Sequence, residues 1–314
     1  MIILLQTGFL SAAFDQTDFS ARSASLGDAY TAIADDGAGP FYNPAGILQM
    51  EKMEVMSTYA FIYPGLDINN INQMQLSFVL PIKKTAAVGL SYNNLGVNDL
   101  YSEQIIQLTF SKKLNSFWYL FGDKLRKNEF LVGGNVKLLK QGYTVDDAMR
   151  LDPVFQGEKT STTGFTFDLG FMMRIFERSS RKFYNIGISA FNLTQPDIGL
   201  RDEDRVPMII RAGFATPLKQ FAFMKKISMD NPMFIIGADY RNKVLGFHFG
   251  WENSFLNELI YLRLGSTLLD FSTGLGFKYS MSWKYDVILD YAFILPYKIE
   301  STSGRHLVSL KFRF

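Results

Sequence analysis

The sequence predicts an all-β fold, an antiparallel transmembrane β-barrel of about fourteen strands preceded by a short helical segment. Three observations lead there. From Met53 onward the side chains alternate with period 2. The apolar side of that alternation carries Phe and Tyr on strand after strand. The 314 residues contain no run of 18 apolar residues. Strands send successive side chains to opposite faces. A bilayer admits only helices of about 20 apolar residues or closed rings of strands.

The elements follow in chain order. Ile2, Ile3, Leu4, Leu5, Phe9 and Leu10 form an apolar stretch ending in Ser11, Ala12 and Ala13. That order reads as a signal peptide over 1–13, lacking the usual cationic start, whose removal leaves Phe14 first. Leu26, Ala29, Tyr30 and Ile33 fall at helical spacing, and Asp35, Asp36 and Gly37 break the turn, so a small helix and loop are expected.

The strands come next. The clearest are Gly164 to Ile175, with Phe165, Phe167, Leu169, Phe171 and Met173 on one face, and Leu245 to Trp251, with Phe247 and Phe249 opposite His248. Phe130, Val132, Val136 and Leu138, then Phe234, Ile236 and Tyr240, repeat the pattern, as do Phe271, Leu275, Phe277 and Tyr279. Tyr285 to Phe293 and the closing Val308, Leu310, Phe312 and Phe314 do so again. Cutting at turn residues such as those of 81–84, 96–99, 142–157, 201–205 and 241–243 gives about fourteen strands of about ten residues, the length a tilted membrane strand needs. The stretch 141–162, with Asp146, Asp147, Asp152 and Glu158, is expected as an extracellular loop.

A soluble sandwich or propeller also alternates, but with a polar outward face. Here aromatic residues crowd one face and Gly and charge share the other, so grease faces lipid and charge faces the lumen. The inward charges, among them Asp168, Arg174, Arg211, Asp239, Glu252, Arg263, Asp290 and Lys311, mix both signs. Buried charges need partners, so they are expected to pair, fill the lumen and grip the N-terminal segment.

The run from Phe19 to Asp36, continuing to Phe41, Tyr42, Asn43, Pro44, Ala45 and Gly46, resembles the N-terminal region of the FadL superfamily of outer-membrane proteins. Ala21-Arg22 before Leu26-Gly27, with the ending from Asp290 through Ser309 to Phe314, looks closest to the PorV/PorQ branch. The resemblance implies a fourteen-stranded barrel over 51–314 in the bacterial outer membrane, with 14–50 folded inward as a hatch. It marks Leu26, Gly27, Tyr30, Asp35, Asp36, Asn43, Pro44 and Gly46 as hatch residues with a structural or gating role. Pro fixes its own φ and keeps Asn43 out of the helical region, and Gly46 tolerates close approach to the barrel wall. Phe314, with Phe312, resembles the terminal signal that barrels present to their insertion machinery.

Enzyme chemistry is not evident. Cysteine is absent, and the two histidines, His248 and His306, have no neighbour at metal-ligand spacing. No cofactor or metal is expected. A hydrolase would need a nucleophile beside His248 and inward Glu252, and no matching Ser is present. Net charge is +2 with no basic cluster, which excludes a nucleic-acid face. The expected partners are outer-membrane lipids and the insertion machinery. Two functions stay open: a conduit for hydrophobic small molecules such as fatty acids, and an accessory role in type IX protein secretion. A purely structural barrel is a third.

Overall fold

The computed structural model describes residues 13–14, 18–65, 71–83, 85–98, 100–114, 128–145, 160–177, 182–218, 229–281, 284–299 and 302–314. Residues 1–12 of the expected signal peptide and the four acidic residues of the expected long loop lie outside the described residues.

Fourteen antiparallel strands close into one barrel. They are β1 (Glu54–Ile62), β2 (Ile71–Ile82), β3 (Ala86–Val97), β4 (Tyr101–Lys113), β5 (Glu129–Tyr143), β6 (Ser161–Glu177) and β7 (Lys182–Phe191). The circuit continues through β8 (Ile209–Pro217), β9 (Met233–Arg241), β10 (Val244–Phe255), β11 (Ile260–Thr267), β12 (Asp270–Ser280), β13 (Asp286–Pro296) and β14 (Arg305–Arg313). Each strand pairs with its neighbours in sequence, and β14 closes on β1 with Glu54 opposite Arg313. Met53 and Phe314 exchange backbone hydrogen bonds of 3.0 Å just past that pair, so both ends of the strand region meet at one rim. We call it the terminal end. Lengths run from 8 residues in β11 to 17 in β6, a wider spread than the uniform ten expected.

The alternation reads through to the exterior. Each strand shows at least one large apolar side chain outward, from Val55 and Tyr59 on β1 to Val308, Leu310 and Phe312 on β14. Register lines them up across strands: Leu76, Tyr92, Ile106, Leu138 and Phe165 are successive partners on β2 to β6. Such a continuous apolar wall suits acyl chains rather than water. Phe130 departs from the expectation: it holds the outward register of β5 but is buried, 6.4 Å from Phe171 centroid to centroid.

The described part of 14–50 lies inside the ring. It holds one helix, α1 (Ala21–Ser25), and two 3-10 turns at Gly39–Phe41 and Pro44–Gln49. Ser20 caps α1 reciprocally with Ser23. The helix lies upstream of the one expected from Leu26, Ala29, Tyr30 and Ile33. Leu26 and Ile33 sit in turns, Ala29 and Tyr30 in the irregular backbone between them, and all four are buried. Gly27 and Asp28 take φ of +60° and +57°, which ends any helix there. The apolar spacing reflects burial on all sides, not one helical face.

Candidate functional site

The plug meets the wall in two different ways. Towards β10–β14 the contact is ionic. Arg22, on α1, donates to Glu252 of β10 from Nε and Nη2, both at 2.9 Å. Glu252 also accepts from its cross-strand partner Arg263 of β11 at 2.6 Å. Arg263 reaches over β12 to Asp290 of β13 at 2.7 Å. Gly276 makes the crossing possible, because a Cβ there would lie 2.8 Å from Arg263 Nη1. Asp290 pairs with Lys311 of β14 at 2.9 Å, and Lys311 with Asp36 of the plug at 2.7 Å. Asp36 lies 3.9 Å from Arg22, closing a ring of three cations and three carboxylates. Burial by itself would raise the Asp36 carboxyl, but Lys311 and Arg22 beside it hold it well below the ordinary carboxylate range. Asp35 pairs with Arg22 at 2.6 Å, and the Tyr30 hydroxyl accepts from Arg22 at 3.1 Å.

Towards β4–β8 the contact runs through the plug's uncharged backbone carbonyls. Asn135 donates to Pro40 O at 2.9 Å, Ser189 to Tyr42 O at 2.7 Å, Arg211 to Phe41 O at 2.8 Å, and Ser111 to Pro44 O. Pro40 and Phe41 belong to the first 3-10 turn, Tyr42 follows it and Pro44 opens the second. Asn43 is extended at φ −160°, as Pro44 after it requires. Its Oδ1 accepts from Ala45 N at 3.1 Å, while Nδ2 donates to Thr31 O at 3.0 Å and Phe171 O at 3.1 Å.

Inward glycines let the plug backbone lie this close. A Cβ at Gly133 would stand 2.5 Å from Pro44 C, and one at Gly187 would strike Thr31 O. Gly187, Gly213 and Gly237 are register partners on β7, β8 and β9. Towards β10 and β11, Gly250 and Gly265 do the same for Leu26 and Gly27. Gly46 does not face the wall as expected. A Cβ there would meet Ala34 of the plug itself at 2.5 Å, so the close approach is internal.

The sequence therefore named residues on both sides of the contact: Leu26, Gly27, Tyr30, Asp35 and Asp36 near β10–β14, and Asn43 and Pro44 near β5–β7. Phe312 and Phe314 lie apart from them, outward on the wall. It missed Glu54, whose carboxylate accepts from Gly37 N at 2.6 Å and from Arg313 at 2.5 Å. It also missed Lys137, paired with Asp168 at 2.9 Å. Their inward parity was the available signal. His248 does not turn to Glu252; its ring nitrogens meet Asp239 Oδ1 at 2.5 Å and Gly27 O at 2.7 Å.

Among the described residues, a cavity lies on either side of the plug. At the far end an apolar pocket of about 30 Å³ lies among Phe14, Phe19, Phe41, Ile105, Leu139 and Phe191, with Lys137 and Arg211 beside it. At the terminal end a cavity of about 420 Å³ is bordered by ring residues Arg22, Glu252, Arg263 and Lys311 together with Ile33, Gln49 and Met233.

This arrangement defines a class: a closed fourteen-stranded barrel with its lumen filled by an N-terminal segment. Solved structures match over nearly the whole chain. The CymD monoaromatic hydrocarbon channel aligns at TM-score 0.60 and 12% identity, covering 96% of this chain and 98% of its own. The Ralstonia pickettii toluene transporter TbuX gives 0.56 and 11%, with 94% and 97% covered. A Pseudomonas aeruginosa FadL homologue gives 0.54 and 10%, with 94% and 98% covered. At such identities the likeness is one of fold. No family model and no curated protein matches the chain.

Proposed function

We propose that the chain is a FadL-type outer-membrane conduit for hydrophobic small molecules, with 14–50 as its hatch. The observation that carries this reading is the apolar far-end pocket built jointly by plug and wall, separated by the plug from a second cavity at the terminal end. Lys137 is engaged by Asp168 and Asn192, and Arg211 by Phe41 O, so neither cation waits for a carboxylate. An uncharged cargo suits the pocket better than an anionic one. Among the structural neighbours, CymD is a monoaromatic hydrocarbon channel and TbuX a toluene transporter.

A benzene-sized guest occupies a cavity of about 150 Å³, so the pocket of about 30 Å³ must enlarge for passage. Movement of Phe14, Phe19 and Phe41 with the plug supplies that room, and Leu26, Gly27, Tyr30, Asp35, Asp36, Asn43, Pro44 and Gly46 set the plug's resting position. Cells producing the protein should take up labelled toluene several-fold faster than cells lacking it. Equal rates for toluene and for a labelled long-chain fatty acid, with and without the protein, would remove the conduit reading. The secretion role makes an opposite demand, a stable complex with a large secretion channel on crosslinking in cells. Phe312 and Phe314 are proposed as the assembly signal. Deleting Phe314 should lower the folded yield in membranes while leaving the stability of whatever folds unchanged.

A further inference from the structure

Phe14 is held in a way that an interior residue of a chain does not need. Its backbone N–H donates at 3.0 Å to Oε2 of Glu103, a buried carboxylate on the inner face of β4. The other oxygen of that carboxylate accepts from Tyr101 OH at 2.6 Å. Phe14 itself is buried and takes φ of +61°, the left-handed region that disfavours a bulky side chain. Ser11 and Ala13 are small residues at the third and first positions before it. Each feature has the same explanation. A φ angle exists only where a carbonyl precedes the residue, so a chain beginning at Phe14 has no such strain. An amide N–H facing a buried carboxylate becomes, at a free terminus, an ammonium facing it.

We propose that a leader peptidase cuts between Ala13 and Phe14, and that the new α-ammonium of Phe14 docks on Glu103 to seat the plug inside the barrel. Water is the co-reactant: the Ala13–Phe14 amide bond breaks, Ala13 departs as a carboxylate and the Phe14 nitrogen takes up protons to become an ammonium. The pair is then a buried ion pair between the first residue and the wall, and the Phe14 ring closes one side of the apolar far-end pocket. Processing thus becomes a condition for a properly lined pocket. The inference needs export and cleavage, and it holds whatever the cargo is.

Intact mass and amino-terminal sequencing of protein extracted from membranes should place Phe14 first. A chain starting anywhere else overturns the proposal while leaving the barrel and conduit readings standing. The second measurement is the rate at which an amine-acylating reagent labels the terminus of the folded protein across pH. A free α-amine titrates at about 7.7–8.0; the docked one should label with a midpoint at least one pH unit higher and at least tenfold more slowly near neutrality than after denaturation. Glu103→Gln should return the midpoint to the ordinary range. If that variant does not fold, the wild-type midpoint decides alone, and an ordinary value there overturns the docking.

Discussion

The two halves of the plug's seat solve the same problem with opposite chemistry. Towards β10–β14, Arg22 and Asp36 enter a closed ring with Glu252, Arg263, Asp290 and Lys311. Towards β4–β8, wall hydroxyls, an amide and Arg211 reach plug carbonyls, and glycines remove the side chains that would keep the backbones apart. A buried ionic ring gains little over an apolar contact when complete, but losing one member strands a charge. A seat of hydrogen bonds to backbone carbonyls loses about 1 kcal/mol per bond where the donor is uncharged. The ring half is therefore the brittle one and the glycine half the forgiving one. The apolar far-end pocket lies on the forgiving side, lined by residues of β4, β5, β7 and β8.

The ring gives the largest expected effect. Arg263→Met leaves Glu252 and Asp290 without their shared cation and should lower unfolding stability in detergent by about 3–5 kcal/mol. Asn135→Ala, on the other half, should cost about 1–2 kcal/mol in the same denaturant titration. Equal losses would erase the contrast between the halves. Gly276→Ala sharpens it further, because it alters no charge. Its Cβ would intrude between Arg263 and Asp290, so a loss of about 1–3 kcal/mol is expected from steric crowding. Full stability in that variant would mean the pair does not need to cross β12.

How much of this was legible follows from the range of each interaction. The strands could be read because alternation is local: Phe165, Phe167 and Leu169 declare their face two residues at a time, and all three are exposed. Asn43-Pro44 could be read because Pro constrains its own neighbour. The charges inside could be placed on the lumen face by parity, and their pairing expected, but not their partners. Arg22 and Glu252 are 230 residues apart in sequence. The glycines were visible on the inward face as a composition, with nothing to say that Thr31, Pro44 or Leu26 would press against them. The helical spacing from Leu26 to Ile33 misled because a segment surrounded by wall is buried on every side, so periodicity loses its meaning.

The smallest effect probes, by pH, a plug residue outside the ring. Asp18 is buried and ion-paired with Arg305. Burial lifts its carboxyl to about 7, with Arg305 opposing and the nearby Asp28 and Asp270 reinforcing the rise. A carboxyl raised in the folded state binds a proton that the unfolded chain has already released. Stability is therefore highest below the ordinary carboxylate range of about 4, falls as pH rises towards 7, and is level above it. Asp18→Asn removes the titrating group while keeping the shape, so it should flatten this part of the profile when melting is followed from pH 4 to 8. Because Arg305 keeps Asp270 at 3.1 Å, the variant does not strand the guanidinium and its loss at low pH should be small. A slope that survives in Asp18→Asn would assign the titration to another carboxylate and leave the ring as the place to look.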